Sequence, residues 1–173
     1  LIVNDPPGGV ANTYVYTRGD EDDRVESYFD DTPGKLNTLQ LEGGILPSEV
    51  TARRVADPQL GSDSALLLSF GSSGDSVLVS GFFFNDDPAN GNNPVQRVKF
   101  TADGTEWDIA AILAMTLEGQ ATPDTIRGTT AANAISGGAG DDHLLGLAGD
   151  DVMSGGAGND TFDSDSGNDR LIG

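Results

Sequence analysis

Aspartate recurs at every ninth position in the C-terminal part of the chain. Residues 137–162 read GGAGDDHLLGLAGDDVMSGGAGNDTF, which places Asp142, Asp151 and Asp160 at equivalent points among glycines. Carboxylates held close together repel one another unless a cation lies between them. The chain has no cysteine and a single histidine, so oxygen is the ligand atom that it offers in number. The spacing therefore predicts sites for a hard divalent cation.

Calcium fits this pattern better than magnesium does. It takes about 6 to 8 oxygen ligands, accepts backbone carbonyls together with carboxylates, and tolerates irregular geometry. Glycine lets the carbonyls of a tight turn approach a common centre, because it has no Cβ. Magnesium requires a stricter octahedron and gives up its water reluctantly. The sequence therefore predicts several bound calcium ions.

Six consecutive nonapeptides cover residues 119–172 without a slip in register. They read GQATPDTIR, GTTAANAIS, GGAGDDHLL, GLAGDDVMS, GGAGNDTFD and SDSGNDRLI. Position 6 holds Asp124, Asn133, Asp142, Asp151, Asp160 and Asp169. Position 8 holds Ile126, Ile135, Leu144, Met153, Phe162 and Leu171. A polar turn therefore alternates with a short apolar strand, with a period of nine residues.

Two such nonapeptides would complete one coil of a flattened solenoid, so that every second loop stacks on the same edge. Parallel strands set the spacing of the coils at about 4.8 Å. Asp142 is then predicted to lie between Asp124 and Asp160, and Asp151 between Asn133 and Asp169. The six position-8 side chains are predicted to be buried between two sheets. Their burial alone is too small to offset the entropy of ordering the repeats, so we expect this region to fold when calcium binds.

Residues before the repeats have the composition of an ordinary β-protein. Five segments are rich in β-branched, aromatic or leucine residues and are separated by turn-forming clusters, which predicts strands. They are LNTLQL, VTARRV, ALLLSF, DSVLVSGFFF and VQRVKF. A turn at residues 103–104 and a capping box at Thr105-Glu106-Trp107-Asp108 predict a short helix through about Met115. At the start of the chain, GGVANTYVYTRGDEDDRVE has the pattern of two degenerate repeats.

Charge and hydropathy limit the partners that the chain can have. Acidic residues outnumber basic residues by 28 to 9, which gives a formal net charge of −19. Such a chain repels phosphates and anionic lipid headgroups, so nucleic acid is not an expected partner. No segment approaches the roughly 20 apolar residues of a transmembrane helix. The chain opens without methionine and closes on a shortened repeat, so we expect it to be part of a larger parent chain.

GGAGDDHLL and GGAGNDTFD resemble the GGxGxDxUx nonapeptide of the repeats-in-toxin (RTX) family. The resemblance implies a parallel β-roll that binds calcium between stacked loops. In that family one loop supplies the carbonyls of positions 2 and 4 and its position-6 carboxylate. The next loop on the same edge supplies the carbonyls of positions 1 and 3 and its own carboxylate.

Carried over to this chain, the RTX pattern implies four sites. The best-matched site comprises Gly138, Gly140, Asp142, Gly155, Ala157 and Asp160. On the other edge the corresponding set is Leu147, Gly149, Asp151, Ser164, Ser166 and Asp169, with serine replacing glycine at Ser164. Two earlier sites are also implied. One would use Gln120, Thr122, Asp124, Gly137, Ala139 and Asp142. The other would use Thr129, Ala131, Asn133, Gly146, Ala148 and Asp151. Asn133 would bring no charge to its site.

The segment from about Asn12 to Met115 resembles the haemolysin-type calcium-binding-related domain that is found between RTX arrays. It carries the resemblance in TYVYTRGDEDDRVESY, SALLLSFGSSGDSVLVSGFFF and VQRVKFTADGTEWDIAAI. The resemblances imply degenerate RTX-like repeats at 1–26, the related β-rich domain at 27–118 and a nonapeptide β-roll at 119–173. The implied fold class is all-β: a C-terminal parallel β-roll, which is a two-sheet solenoid, preceded by a β-rich domain with one short helix.

RTX proteins are exported by bacteria, commonly through type I secretion, and fold outside the cell on meeting calcium. The resulting hypothesis is a non-catalytic calcium-binding module of a larger secreted protein, with the secretion machinery as a further partner. The alternative is an extracellular recognition or adhesion module whose β-rich domain binds a sugar or protein. Exposed aromatic rings around Trp107, Tyr14 or Tyr16 would favour the alternative, and burial of all three would favour the first hypothesis.

Other features have ordinary structural interpretations. No G-x-S-x-G motif is present and the single histidine lies in the repeats, so the sequence gives no support for an enzyme. Residues 18–20 spell Arg-Gly-Asp, an integrin-binding tripeptide, but they lie at the head of a degenerate repeat. His143 is predicted to point outward into solvent. The three phenylalanines at 82–84 are predicted to end a buried strand instead of forming a patch for a partner or membrane.

Overall fold

The computed structural model describes residues 2–5, 11–27, 35–71 and 74–173. Within these ranges the chain is β-rich with one α-helix, which confirms the predicted class in its coarse form. Contacts divide the chain into two compact units, Leu1–Ile112 and Leu113–Gly173. Residues 1 and 6–10 of the predicted degenerate repeats lie outside the described residues. No helix in the described part of the chain is long and apolar enough to cross a membrane.

The first unit consists of two β-sheets. Its strands are β1 Ile2–Asp5, β2 Thr13–Thr17, β3 Asp22–Ser27, β4 Thr38–Glu42, β5 Val50–Val55, β6 Ala65–Phe70, β7 Ser76–Val79, β8 Arg97–Phe100 and β9 Glu106–Asp108. The sheets have the orders β1-β3-β7-β6-β5 and β2-β4-β8-β9. Single turns of 3-10 helix occupy Pro47–Glu49 and Phe84–Asp86. The strands from β1 to β4 alternate between the two sheets, so the chain coils as it advances.

Four of the seven strand pairs described in this unit are parallel, and its core lies between the sheets. β1, β3 and β7 pair in parallel, as do β2, β4 and β8. On β2, Tyr14 and Tyr16 are buried while Val15 is 49% exposed, as expected for a strand with one face on a core. Tyr16 stacks on Phe70 of the other sheet with ring centroids 4.7 Å apart. Apolar residues at alternate positions of β2 and β6 therefore join the two sheets.

Two of the three phenylalanines confirm the predicted burial, Phe84 is only partly buried, and none of them lies in a strand. The segment DSVLVSGFFF is a strand only over Ser76–Val79. Phe82 and Phe83 are buried in the turn that follows, at 0% and 1% exposure. Gly81 has a φ of 72°, which is outside the extended region, so the chain leaves the sheet before it reaches the phenylalanines.

The predicted capping box is wrong. Residues 106–108 pair with β8 as the antiparallel strand β9, and Trp107 packs on Phe100 with ring centroids 4.5 Å apart. The helix α1 spans Ile109–Thr116. Asp108 caps it, because its Oδ1 accepts the backbone N–H of Ala111 at 2.8 Å. Pairing with β8 thus holds residues 106–108 in an extended conformation, and the helix starts later than the sequence signal indicated.

The second unit contains two further sheets with three strands each. The strands are β10 Thr125–Arg127, β11 Ala134–Ala139, β12 His143–Leu145, β13 Val152–Ala157, β14 Thr161–Asp163 and β15 Arg170–Ile172. The sheet orders are β10-β12-β14 and β11-β13-β15, and all pairs are parallel. Ile126 pairs with Leu144, and Leu144 with Phe162, so neighbouring strands are offset by 18 residues. Successive nonapeptides therefore contribute strands to alternate sheets.

Position-8 side chains form the core of the second unit, together with Leu117. Ile126, Ile135, Leu144 and Met153 are at most 6% exposed, and Phe162 packs against them while partly buried. Leu171 is 48% exposed, so the prediction that all six position-8 residues are buried is wrong at the last repeat. β14 and β15 are the outermost strands of their sheets, and a further rung would be needed to cover Leu171.

Asp57 is a fully buried carboxylate in the first unit that the sequence did not single out. Its oxygens accept hydrogen bonds from the backbone N–H groups of Gln59, Leu60 and Gly81, from the Ser80 hydroxyl and from the Arg24 guanidinium. Burial by itself would raise the pKa of the Asp57 carboxyl, but the hydrogen bonds from Ser80, Gln59, Gly81 and Leu60 outweigh it and lower the pKa. The charged form is therefore the form that joins β3 to the turns after β5 and β7.

Asp57→Asn should destabilise the first unit by about 2–4 kcal/mol, because an amide cannot replace a carboxylate that receives only donors. Urea denaturation at saturating calcium, followed by Trp107 fluorescence, measures the loss. Asp63→Asn is the matched control, since Asp63 is an exposed carboxylate close by in the chain. The lowered pKa means that Asp57 stabilises the fold above the ordinary carboxyl range and loses this effect as the pH falls through the folded-state value. Equal stability of the two variants would contradict this role.

Candidate calcium sites

Position-6 side chains lie one above another along the two edges of the repeat region. Each carboxylate Oδ1 accepts the position-6 backbone N–H of the previous loop on its edge. The pairs are Asp142 with Asp124 N–H at 2.9 Å, Asp160 with Asp142 N–H at 3.1 Å, Asp151 with Asn133 N–H at 2.8 Å and Asp169 with Asp151 N–H at 3.0 Å. The structure thus brings together the position-6 residues that the sequence period makes neighbours.

The second carboxylate oxygens of Asp142 and Asp151 have no hydrogen-bond partner. These Oδ2 atoms are buried, and the two residues are only 2% and 1% exposed. A buried, ionised oxygen is costly unless a donor or a cation completes its coordination. Calcium binds such oxygens readily, so the two orphaned atoms fit the ion that the repeat pattern predicts.

Glycine at position 1 makes room for these oxygens. A Cβ at Gly137 would lie 2.4 Å from Asp142 Oδ2 and 2.6 Å from the carbonyl oxygen of Gly155. A Cβ at Gly146 would lie 2.4 Å from Asp151 Oδ2. A carboxylate oxygen of one loop and a carbonyl oxygen of the next loop on the edge therefore converge beside Gly137. Any side chain at that position would occupy the space that they share.

Position 4 of the last four loops and position 2 of three of them have positive φ values, whereas Asp165 at position 2 of the last loop does not. At position 4, Gly140, Gly149, Gly158 and Gly167 have φ values from 117° to 146°. At position 2, Gly138 and Gly156 have a φ of 98°, and Leu147 has a φ of 71°. A residue with a Cβ is strained there by roughly 1–2 kcal/mol, so Leu147 is an unfavourable residue in this loop.

The first two loops turn differently. Gln120, Thr122, Thr129 and Ala131 stand at positions 2 and 4 of these loops, and positive φ values occur at none of them. Their position-6 side chains close on their own loops instead: Asp124 Oδ2 accepts the Gln120 N–H at 2.7 Å, and Asn133 Oδ1 accepts the Thr129 N–H at 2.7 Å. The first two loops therefore leave fewer side-chain oxygens available to an ion than the later loops do.

Several predicted carbonyl ligands also take part in backbone hydrogen bonds between loops. Ala157 O accepts the Gly140 N–H at 2.8 Å, and Ser166 O accepts the Gly149 N–H at 2.9 Å. Leu147 O accepts the Ser166 N–H at 3.2 Å. Each carbonyl keeps a second lone pair for a cation. Within the described ranges no group of three or more His, Asp or Glu side chains is placed to hold a metal, so carbonyls must supply most ligands of any ion here.

Position 5 carries a second set of contacts between loops, which the sequence analysis missed. Asp141 Oδ1 accepts the Asn159 backbone N–H at 2.8 Å and lies 3.3 Å from Asn159 Nδ2. Asp150 binds Asn168 in the same way, at 2.9 and 3.3 Å. The signal was present in the change from Asp-Asp to Asn-Asp between the middle and last repeats. These exposed pairs align successive loops without a metal ion.

Burial raises the pKa of the Asp151 carboxyl, and the hydrogen bond from Asn133 opposes it while the charges of Asp169 and Asp150 reinforce it. A raised folded-state pKa means that the folded loops lose stability as the pH rises from the ordinary carboxyl value through the raised one. A cation beside Asp151 would reverse this effect by favouring the ionised form. The charge of Asp151 thus opposes folding of its loop until a positive charge lies beside it.

Comparisons with known families agree with this geometry. Residues 118–153 and 136–171 match the RTX calcium-binding nonapeptide repeat, and residues 66–111 match the haemolysin-type calcium binding protein related domain. A comparison with curated proteins finds no match. The chain therefore carries RTX calcium-binding repeats preceded by a haemolysin-type calcium-binding-related domain, which confirms the predicted resemblance. RTX repeats bind calcium ions, imply a β-roll and belong to secreted bacterial proteins of a generally non-catalytic family.

The remaining candidate groups are engaged in contacts within the protein. Arg18 of the Arg-Gly-Asp tripeptide donates to both carboxylate oxygens of Glu49, at 3.0 and 2.9 Å. Asp20 Oδ2 accepts the Thr17 N–H at 3.0 Å. His143 Nε2 lies 2.9 Å from Asp163 Oδ2, so its ring is paired and not simply solvated as predicted. None of these contacts indicates an adhesion site or a catalytic group.

Leu147→Gly should stabilise the calcium-bound repeats by about 1 kcal/mol, because glycine removes the strain of a left-handed leucine. Leu147→Ala is the control, since it removes the same side chain but keeps the Cβ. Urea denaturation at fixed calcium compares both variants with the wild type. Equal stabilisation by alanine and glycine would show that the side chain, and not the backbone conformation, is unfavourable at this position.

Proposed function

We propose that this chain is a non-catalytic, calcium-dependent structural module of a larger secreted bacterial protein. Its repeats form a parallel β-roll that folds on meeting calcium outside the cell. The chain would pass through the type I secretion machinery unfolded, and folding after export would prevent its return and stabilise the parent protein. The family match supports calcium binding, and the acidic, cysteine-free composition agrees with an extracellular setting.

The observation that carries this proposal is the pair of buried, unpartnered oxygens on Asp142 and Asp151. Parallel strands offset by 18 residues hold these carboxylates in line with those of Asp160 and Asp169. Without a cation, folding buries negative charge that lacks compensation. With calcium, the same burial becomes part of the binding site, so the free energy of metal binding contributes directly to folding.

Two sites have the strongest support. The first would use the carboxylates of Asp142 and Asp160 with carbonyls of Gly138, Gly140, Gly155 and Ala157, and it is supported by the convergence of Asp142 Oδ2 and Gly155 O. The second would use Asp151 and Asp169 with carbonyls of Leu147, Gly149, Ser164 and Ser166, and it is supported by the buried Asp151 Oδ2. Calcium would neutralise the stacked carboxylates, while this chain's own loops hold the oxygens in place.

The recognition alternative has less support. Tyr14 and Tyr16 are buried, at 6% and 1% exposure, and therefore cannot line a surface groove. Trp107 is partly buried against Phe100. Arg18 is paired with Glu49. Two of the three rings named in the sequence analysis are thus buried in packing contacts, and Trp107 packs on Phe100 while it stays partly exposed.

Calcium removal tests the proposal directly. In excess EGTA the repeat region should lack ordered β-structure, and calcium should restore it cooperatively, because buried carboxylate charge opposes folding in the absence of the ion. Circular dichroism during a calcium titration measures the transition. Magnesium at equal concentration is the control and should not substitute, since it suits irregular carbonyl-rich sites poorly. A roll that is fully ordered in EGTA would refute the proposal.

Two alanine substitutions separate stacked loops from independent ones. Asp142 has position-6 neighbours on both sides, whereas Asp169 contacts the single neighbour Asp151. Asp142→Ala should therefore raise the calcium concentration needed for half-folding more than Asp169→Ala does. It should also cause the loss of more bound ions. Calorimetric titration of both variants measures this difference. Equal midpoints and stoichiometry would mean that each loop binds calcium on its own.

A further inference from the structure

The loop at residues 128–133 closes on itself through an asparagine and a threonine. Asn133 and Thr129 are buried, at 7% and 1% exposure. Asn133 Oδ1 accepts the Thr129 backbone N–H at 2.7 Å and its hydroxyl at 3.2 Å. Asn133 Nδ2 donates to Thr129 Oγ1 at 3.1 Å, and this hydroxyl oxygen also accepts the Ala131 N–H at 3.3 Å. The buried amide is therefore hydrogen-bonded through both its oxygen and its nitrogen.

The oxygen of Asn133 occupies the place that a carboxylate oxygen takes in the later loops. A Cβ at Gly128 would lie 2.5 Å from Asn133 Oδ1 and 2.6 Å from Gly146 O. The equivalent Cβ at Gly137 would meet Asp142 Oδ2 and Gly155 O at 2.4 and 2.6 Å. The arrangements match, but Asp142 Oδ2 has no partner, whereas Asn133 Oδ1 is satisfied by its own loop.

We propose that the loop at 128–133 takes no calcium and acts as a metal-independent cap on which the calcium-dependent loops assemble. An ion here would have to break the hydrogen bond from Thr129 and would gain no charge from Asn133. It would also lack the left-handed turns at positions 2 and 4, which hold Thr129 and Ala131. In a linear repeat array, an end that is ordered by itself lowers the cost of ordering the next repeat. This inference rests on the proposed calcium-dependent folding of the roll.

Asn133→Ala and Thr129→Val test the assignment, with Asp151→Asn as the contrasting variant. Thr129→Val removes only the hydroxyl hydrogen bonds and keeps the shape and the backbone carbonyl. Both cap variants should bind as many calcium ions as the wild type, measured by equilibrium dialysis on the full chain. Both should need on the order of twofold to fivefold more calcium for half-folding, because buried hydrogen bonds are lost without loss of a ligand. Asp151→Asn should bind fewer ions.

Hydrogen exchange on the wild-type chain in EGTA supplies a readout that needs no variant. The Thr129 and Ala131 amides, which donate to Asn133 Oδ1 and Thr129 Oγ1 within the same loop, should be protected at least tenfold more than those of Gly138 and Gly156 in the later loops. Three results would each contradict the proposed cap. They are the loss of a bound calcium ion in Asn133→Ala, an unchanged calcium concentration for half-folding in both cap variants, and uniform exchange across the four amides. A wild-type chain that binds no calcium at all would instead refute the proposed function.

Discussion

Stacking of carboxylates along two edges is the constraint on which the rest of the repeat region depends. The Oδ1 atoms of Asp142, Asp151, Asp160 and Asp169 each accept a backbone N–H of the neighbouring loop, whereas the Oδ2 atoms of Asp142 and Asp151 are buried without a partner. In Asp142 and Asp151 one carboxylate oxygen therefore aligns the loops, and we propose that the other oxygen binds a cation. Under the proposed function the same side chain contributes to the fold and to the binding site, so folding and calcium binding are energetically coupled.

The glycine pattern follows from this constraint. Position 1 has to leave room for the carboxylate oxygen beside Gly137 and Gly146, and position 4 has to adopt a left-handed turn. The strands need much less: one apolar residue at position 8 to fill the space between the sheets. Where the glycines are absent, as at Thr129 and Ala131, the loop takes another conformation and satisfies its own polar groups. Sequence variation among the repeats therefore changes the loop conformation, and we propose that it changes the capacity to bind metal as well.

The nine-residue period and the preference for calcium were predictable from the sequence because both are local properties of the nonapeptide. The strand positions, the neighbours of Asp142 and Asp151 and the burial of Leu144 and Met153 follow from a nine-residue repeat. Contacts that depend on other parts of the chain were not predictable. β9 replaced the predicted capping box because β8 pairs with it, and the Asp57 network joins turns that are distant in sequence. The pairing of Asp141 with Asn159, by contrast, follows from the predicted 18-residue offset, and the change from Asp to Asn at position 5 was its signal in the sequence.

The central claim is that calcium completes the orphaned oxygens of the stacked loops. Anomalous diffraction from crystals grown in calcium locates such ions without assumptions about their ligands. We expect peaks between the loops of Asp142 and Asp160 and between those of Asp151 and Asp169, with the two Oδ2 atoms among the ligands, and no peak at the Asn133 loop. Two results would contradict calcium binding by the stacked loops. One is a set of ordered repeats whose Oδ2 atoms contact no ion, and the other is calcium bound solely among the acidic residues of the first unit.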